Sequence, residues 1–447
     1  MQSTITLPIT TVQPDFSTVI SEIHDGLIPD EAFWLSCYKS GEISIHGKVS
    51  ASLDERDRTL VVLDGKGGIS FERSNDHVYY ATCDSLGISK VKVTVPRKVF
   101  TDPLPPSSAA GGQHRKICAF DIAPDGSQFA TGYEDGSIYI VPTSSPTPSN
   151  ITTSKPHLNS ITSLKYFPSS RVLLSTSLDF SLSIIPADLP NSAQTQAKKV
   201  SAARTFKGHS RSVTCSAIIA RGRNILSGGK DGTLRLWDVS SGSQIRSMGV
   251  KGYTPILALS VGERGEGAFS QPPDGDEKVI NTIDGREVET AEKIAFCSTQ
   301  DGSIQAFDLG TKLSVFQFSP QSRSSPLQSI AYSATMNLLA TGSGTGVVTI
   351  YDTRALNRPL TSFSRNGAAI EDIAFIRLGA DGSGIAIATE DGLPYVAGVH
   401  PEGPSVYTEL VGTDCEAIRC IRVRGDGNEL WTAGDDGIVR KYEDITA

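Results

Sequence analysis

Between residues 206 and 242 (FKGHSRSVTCSAIIARGRNILSGGKDGTLRLWDVSSG) the chain brings together His209, Ser227, Asp231 and Trp237. A carboxylate that orients an imidazole, with a hydroxyl in reach, is the material of an active site. Asp135, Asp179, Asp301, Asp391 and Asp436 offer further carboxylates, and GSGTG at 342–346 has the composition of a phosphate cradle. Chemistry is therefore the first reading to weigh. It depends on whether these residues are unique or repeated.

They are repeated. With the aspartate as ruler, the corresponding positions are Asp135, Asp179, Asp231, Asp301, Thr345, Asp391 and Asp436, separated by 44, 52, 70, 44, 46 and 45 residues. Each lies in a tight-turn stretch such as YEDGSIYIV, GKDGTLRLW or GDDGIVRKY, followed by an alternating strand. GSGTG occupies the same place in its unit, which makes it a strand turn. Gly-His at 208–209, the Asp-Gly turn and Trp-Asp at 237–238 form the signature of a WD repeat, one blade of a β-propeller. Strands are expected at 213–219, 224–227 and 233–238. In such a repeat His209, Ser227, Asp231 and Trp237 form a hydrogen-bonded tetrad that ties the turn to the loop opening the blade. A buried carboxylate needs several such bonds to offset its desolvation. His114 and His157 stand as the equivalents of His209 in earlier units, and the remaining histidines have no metal-ligand spacing.

Seven units this small cannot each bury their own apolar faces, so they must stack. The fold expected is all-β: a seven-bladed WD40 β-propeller at 114–447 with a small β-rich N-terminal domain at 1–88. In that domain strands are expected at 32–37, 43–49, 59–63, 68–72 and 77–82, the middle pair flanking a hairpin-like turn at 64–67. Residues 89–113 are read as a ring-closing strand and a linker. The last unit ends without an outer strand, and 90–95 is the candidate to supply it, with 5–11 the runner-up. The extra length between Asp231 and Asp301 is a polar insertion at 262–292, between the first two strands of the fourth blade.

Composition narrows the function. The 447 residues include 42 glycines and 24 prolines, as many short strands and turns require. There is no run of 18 apolar residues and no basic-then-apolar N-terminal segment, so neither a membrane partner nor a signal peptide is expected. Seven scattered cysteines without a C-x-x-C pair read as free thiols in the cytoplasm or nucleus. Net charge of −8 argues against nucleic acid as partner. No P-loop, H-E-x-x-H or G-x-S-x-G motif is present, so no catalytic residue, metal or cofactor is assigned. Acidity concentrates late: residues 366–447 carry 15 acidic against 6 basic side chains. The partner-binding candidates are the acids beside the turns and blade-opening loops: Glu134, Glu371, Asp372, Glu390, Asp414, Glu416 and Asp435. Together they form an electrostatic dock for a Lys/Arg-bearing domain.

Three stretches, 33–47 (FWLSCYKSGEISIHG), 206–242 and 412–442 (GTDCEAIRCIRVRGDGNELWTAGDDGIVRKY), resemble the proteasomal ATPase-associated factor family. The resemblance implies a non-enzymatic assembly chaperone of the proteasome regulatory-particle base. It would be monomeric before binding the C-terminal domain of a proteasomal AAA-ATPase subunit and other base assembly intermediates, and would release before or as the particle docks on the 20S core. The alternatives are another WD40 scaffold, such as a ubiquitin-ligase substrate receptor or ribosome-assembly factor, and a propeller enzyme. Departures are local. Phe180 replaces the turn glycine of the second unit, Ile185-Pro186 stands near its expected Trp-Asp, and Thr345 replaces the fifth aspartate. A full tetrad is not expected in those two blades.

Overall fold

The computed structural model describes residues 4–101, 114–144, 150–190, 197–265, 284–320, 324–379, 382–400, 402–425 and 427–446. Seven sheets follow one another from Ile117, each with four antiparallel strands at its heart. The strands are consecutive except at the closure and in blade 2, where Lys198–Lys199 intervenes and pairs parallel with Thr152–Ser154 of blade 1. Blades 5 and 6 are extended by N-terminal strands. Blade 3 shows the unit: Val213–Ile219, Asn224–Gly229, Thr233–Asp238 and Ser243–Gly249 pair in chain order. The first strands of the other blades are Ile117–Ile122, Ile161–Tyr166, Ile256–Glu263, Leu327–Ser333, Ile370–Leu378 and Ile418–Arg424. These seven line a central channel of about 510 Å³.

Stacking follows from strand periodicity. Successive side chains on a strand point to opposite faces, so the middle strands of a blade feed two cores. Ile225 packs with Leu174, Leu182 and Phe206 of blade 2, while its neighbour Leu226 packs with Ile256, Ala295 and Phe307 of blade 4. Each of the seven blade–blade interfaces has such a core. Close approach requires small residues on the second strand. A Cβ on Gly228 would lie 2.7 Å from Cys215 Sγ and 2.9 Å from Ile256 Cγ2.

The ring closes through Lys98–Phe100, which pairs antiparallel with Val439–Tyr442 and completes blade 7. This corrects the expectation for 90–95. Pro96 splits the stretch into two strands, since it lacks the N–H a ladder needs. The first of them, Ile88–Thr94, instead lies parallel to Gly403–Leu410, the outer strand of blade 6. The runner-up segment fares similarly: Ile5–Thr6 runs parallel to Thr361–Ser364 on blade 5. At the closure Phe100 stacks on Trp431 (5.7 Å between ring centroids) and meets Phe129 of blade 1 edge-on.

The N-terminal segment is more than β-structure. Phe16–His24 is a helix whose buried residues, Phe16, Val19, Ile20 and Ile23, recur at helical spacing. It packs on a sheet of Ile9–Val12, Asp30–Tyr38, Ile45–Leu53 and Val61–Lys66. Ser70–Arg73 and Val78–Cys83 join Ile88–Thr94 in the extended sheet of blade 6. The expected hairpin at 64–67 is therefore a crossing between two sheets. The helix, both sheets and the rings of Phe16, Phe33, Phe71 and Tyr79 form one core. Because Ile88–Thr94 belongs to that core, a boundary at residue 88 cuts through its last strand.

This module is also bolted to the ring. Buried Glu409 of blade 6 accepts the Thr10 N–H (2.9 Å) and pairs with Arg365, whose Nε donates to the Pro8 carbonyl (3.1 Å). Lys92 Nζ donates to the carbonyls of Asp444 and Ile445. The insertion lies between Ile256–Glu263 and Lys293–Thr299, with 266–283 outside the described residues, as are 102–113 of the linker.

Candidate interaction face and its supporting tetrads

In blade 3 the four residues singled out at the start form one chain of bonds. Trp237 Nε1, which can only donate, gives its proton to Ser227 Oγ (2.9 Å). Ser227 donates to His209 Nε2 (2.7 Å), and His209 Nδ1 donates to Asp231 Oδ2 (2.9 Å). These partners suit a neutral imidazole protonated at Nδ1. Burial pushes the His209 pKa below its ordinary value against the pull of Asp231. Burial alone would raise the Asp231 carboxyl, but bonds from Thr233, His209 and the Ser210 N–H together hold it below the usual range. All four lie within the blade, so they hold turn to loop and present nothing to a substrate.

Blade 2 lacks the full tetrad, as its sequence departures imply, but keeps three of the four members. His157 bonds Ser175 through Nε2 (2.8 Å) and Asp179 through Nδ1 (3.0 Å), which leaves only the indole missing, where Ile185 stands. His114 makes no such set: it is exposed, with its Cβ near Gly437. In the turns, Asp135, Asp179, Asp231, Asp301, Asp391 and Asp436 each accept the backbone N–H two residues on, at 3.0 to 3.2 Å. In blade 5, Ser343 Oγ takes that role towards Val347 (2.9 Å). The carboxylates that could have been catalytic are spent on turns.

These turns, and the loops that open the blades, share one face of the ring. Contacts run from each turn to the loop entering the next blade. Gly392 abuts Cys415 and Glu416, Gly437 abuts His114 and Arg115, and Gly136 abuts His157. Four of the seven candidate acids are exposed along this rim: Glu390 in the turn of blade 6, Asp414 and Glu416 in the loop entering blade 7, and Glu134 in the turn of blade 1.

The other three face inward and are paired. Glu371 meets Arg419 Nη1 at 2.9 Å, and burial raises its carboxyl despite that cation. Asp435 receives Arg419 Nε and Nη2 (2.9 and 2.8 Å) and Lys116 Nζ (3.2 Å). These outweigh burial and lower its pKa. Asp372 pairs with Arg422 and accepts the Ile421 N–H. Three cations, Lys116, Arg419 and Arg422, were thus missed. For the two arginines a signal was present in IRCIRVR (418–424), an arginine-rich first strand on which Arg419 and Arg422, three residues apart and with a register shift near the first, both line the channel. Among the described residues no group of His, Cys, Asp and Glu could hold a metal ion.

The chain matches the WD domain, G-beta repeat family over residues 110–141, 148–185 and 201–238, which fall in blades 1 to 3. It is 25% identical over 203 residues to the human angio-associated migratory cell protein, covering 38% of this chain and 46% of that one. It is 27% identical over 173 residues to the probable proteasomal ATPase-associated factor 1 of Dictyostelium discoideum, covering 37% and 39%. A shorter span of 58 residues is 47% identical to human WD repeat-containing protein 18, 13% of each chain. The chain thus spans less than half the length of the curated relatives it matches.

Proposed function

We propose that this chain, which carries WD40 repeats and folds as a WD40 β-propeller, is a non-catalytic assembly chaperone for the base of the proteasome regulatory particle. It binds the C-terminal domain of a proteasomal ATPase subunit, and through it other base assembly intermediates. The observation that carries the reading is the acidic arc of Glu390, Asp414, Glu416 and Glu134, which spans blades 6, 7 and 1 on the turn-bearing face. Lys116, Arg419 and Arg422, cations of that sector, are engaged by the inward acids. A solvated arc of one sign steers a basic domain and sets its orientation more than it sets affinity. The likeness to a protein named as a proteasomal ATPase-associated factor supports the choice of partner. The cytoplasm and nucleus are the compartments this role requires.

The test is affinity purification from cells at two salt concentrations, with identification of the bound subunits. Base ATPases without the 20S core, recovered better at low salt, are the expected result. Recovery with finished 26S particles alone, or never with those ATPases, overturns the reading. Recovery of a ligase adaptor or of ribosome precursors would select another WD40 scaffold role.

A further inference from the structure

The same face has a second sector of opposite character, in blades 2 to 4. Leu158 in the loop entering blade 2 is 93% exposed, Phe180 in the turn of blade 2 is 46% exposed, and Tyr253 in the loop entering blade 4 is 68% exposed. They follow one another along a continuous rim. The Leu158 N–H donates to Asp179, beside Phe180 (3.1 Å). Ser212 Oγ donates to the Leu178 carbonyl, and the Lys230 N–H donates to the Ser212 carbonyl (2.8 Å). A Cβ on Gly232, in the next turn, would lie 2.3 Å from the Tyr253 carbonyl carbon.

Two of these side chains are held out at a conformational cost. Phe180 has φ 71° and Tyr253 φ 51°, in the left-handed region. The position of Phe180 is glycine in the other six turns, at φ between 69° and 84° (Gly136, Gly232, Gly302, Gly346, Gly392, Gly437). A phenylalanine there accepts backbone strain and leaves nearly half its surface in water. Around the three apolar groups stand exposed Arg211, Lys230 and Lys251, none of which makes an ion pair among the described residues.

We propose that this rim is a docking site for an extended acidic peptide segment carrying apolar side chains, such as an acidic stretch bearing leucine or phenylalanine. Charge complementarity selects the occupant. Three exposed cations without an ion pair among the described residues lie along the rim between Phe180 and Tyr253, so acids pair with the cations while the peptide's apolar residues cover the exposed apolar groups. A nucleic acid fits less well. Its continuous charge would run from three cations onto the acidic arc of the same face. This site is separate from the arc assigned above to a basic domain, and each can fail without the other.

The experiment selects short random-sequence peptides, displayed on phage, against the full chain. The selected peptides are then measured by fluorescence anisotropy against the parent and two double variants. One is Phe180→Gly with Tyr253→Ser, the other Arg211→Glu with Lys230→Glu. The expected result is that selected peptides combine Asp or Glu with Leu, Ile or Phe, and that each variant weakens binding by about tenfold or more. Thermal unfolding of both variants checks that the fold persists, and the glycine at 180 is the residue the other six turns already carry. Failure to select peptides, selection of basic or uncharged sequences, or equal binding by both variants overturns the proposal. So does binding of a short labelled single-stranded RNA that depends on Phe180 and Lys230 while the peptides do not.

Discussion

Arg422 of blade 7 reaches across the ring closure to Asp121 of blade 1, Nε to Oδ1 at 3.2 Å, while its Nη1 holds Asp372 of blade 6. Asp121 also accepts the N–H of Tyr166 in blade 2 (2.7 Å), so four consecutive blades are joined along the channel wall. Replacing Arg422 by Met leaves two carboxylates without their cation in a partly buried site. Stability should fall by about 2–3 kcal/mol, read as a lower urea midpoint. Arg422→Lys should recover only part of this, because one ammonium cannot serve both acids with the fork of a guanidinium.

Stability should decline with acid in two stages. Burial depresses the pKa of His157 and His209 in the folded protein, so below about pH 6.5 the unfolded chain binds protons that the folded one refuses. Their contribution is whole above that pH and is lost as pH falls towards the folded values. Below about pH 4 a second loss begins, as Asp179, Asp231 and Asp435, whose folded values are lowered, resist protons that the unfolded chain takes up. Thermal melts of His157→Asn/His209→Asn should show a flatter profile between pH 5 and pH 6.5. An unchanged slope there would assign the effect to other groups.

Glu409→Ala should free the N-terminal edge. The substitution removes the acceptor of the Thr10 N–H and leaves the Arg365 guanidinium buried without a carboxylate. A loss of about 3 kcal/mol is expected, together with faster proteolysis within residues 4–12.

The acidic arc is best tested where its members carry no structural bonds. Asp414→Lys/Glu416→Lys should weaken binding of the ATPase C-terminal domain and flatten its salt dependence, with the melting temperature unchanged. Reversing Glu371 and Asp372 is a poorer test, because those acids hold Arg419 and Arg422. Equal affinity of the Asp414/Glu416 variant and the parent would move the interface elsewhere.

Phe180→Gly should raise stability by about 1 kcal/mol, because it relieves a left-handed non-glycine residue that is nearly half exposed. A fall in stability would show that the ring contributes to the fold after all.

The repeat itself was legible because its cause is local. An Asx turn needs Asp and Gly at adjacent positions, a strand buried on both sides needs small and apolar residues, and both recur at the period of one blade. The strands of blade 3 and the bonded set of His209, Ser227, Asp231 and Trp237 could thus be read directly. The helix at Phe16–His24 was also written, in the spacing of Phe16, Val19, Ile20 and Ile23, but the surrounding strand-like residues masked it. Pro96 marked the break between two strands, yet nothing local shows which edge each strand will join.

Partners distant in the chain belong to the tertiary structure. Residues 98–100 close blade 7 because the ring brings them beside 439–442, and no periodicity records that meeting. The same holds for the acids. The seven candidates look alike in the sequence, but the first strands turn Arg419 and Arg422 towards Glu371, Asp372 and Asp435, which leaves Glu134, Glu390, Asp414 and Glu416 to solvent. Residue type and spacing determine that a blade forms and what its turns require. Which charges cancel, which edge is covered and which side chains stay exposed are properties of the closed ring, because they depend on groups that only stacking brings within reach.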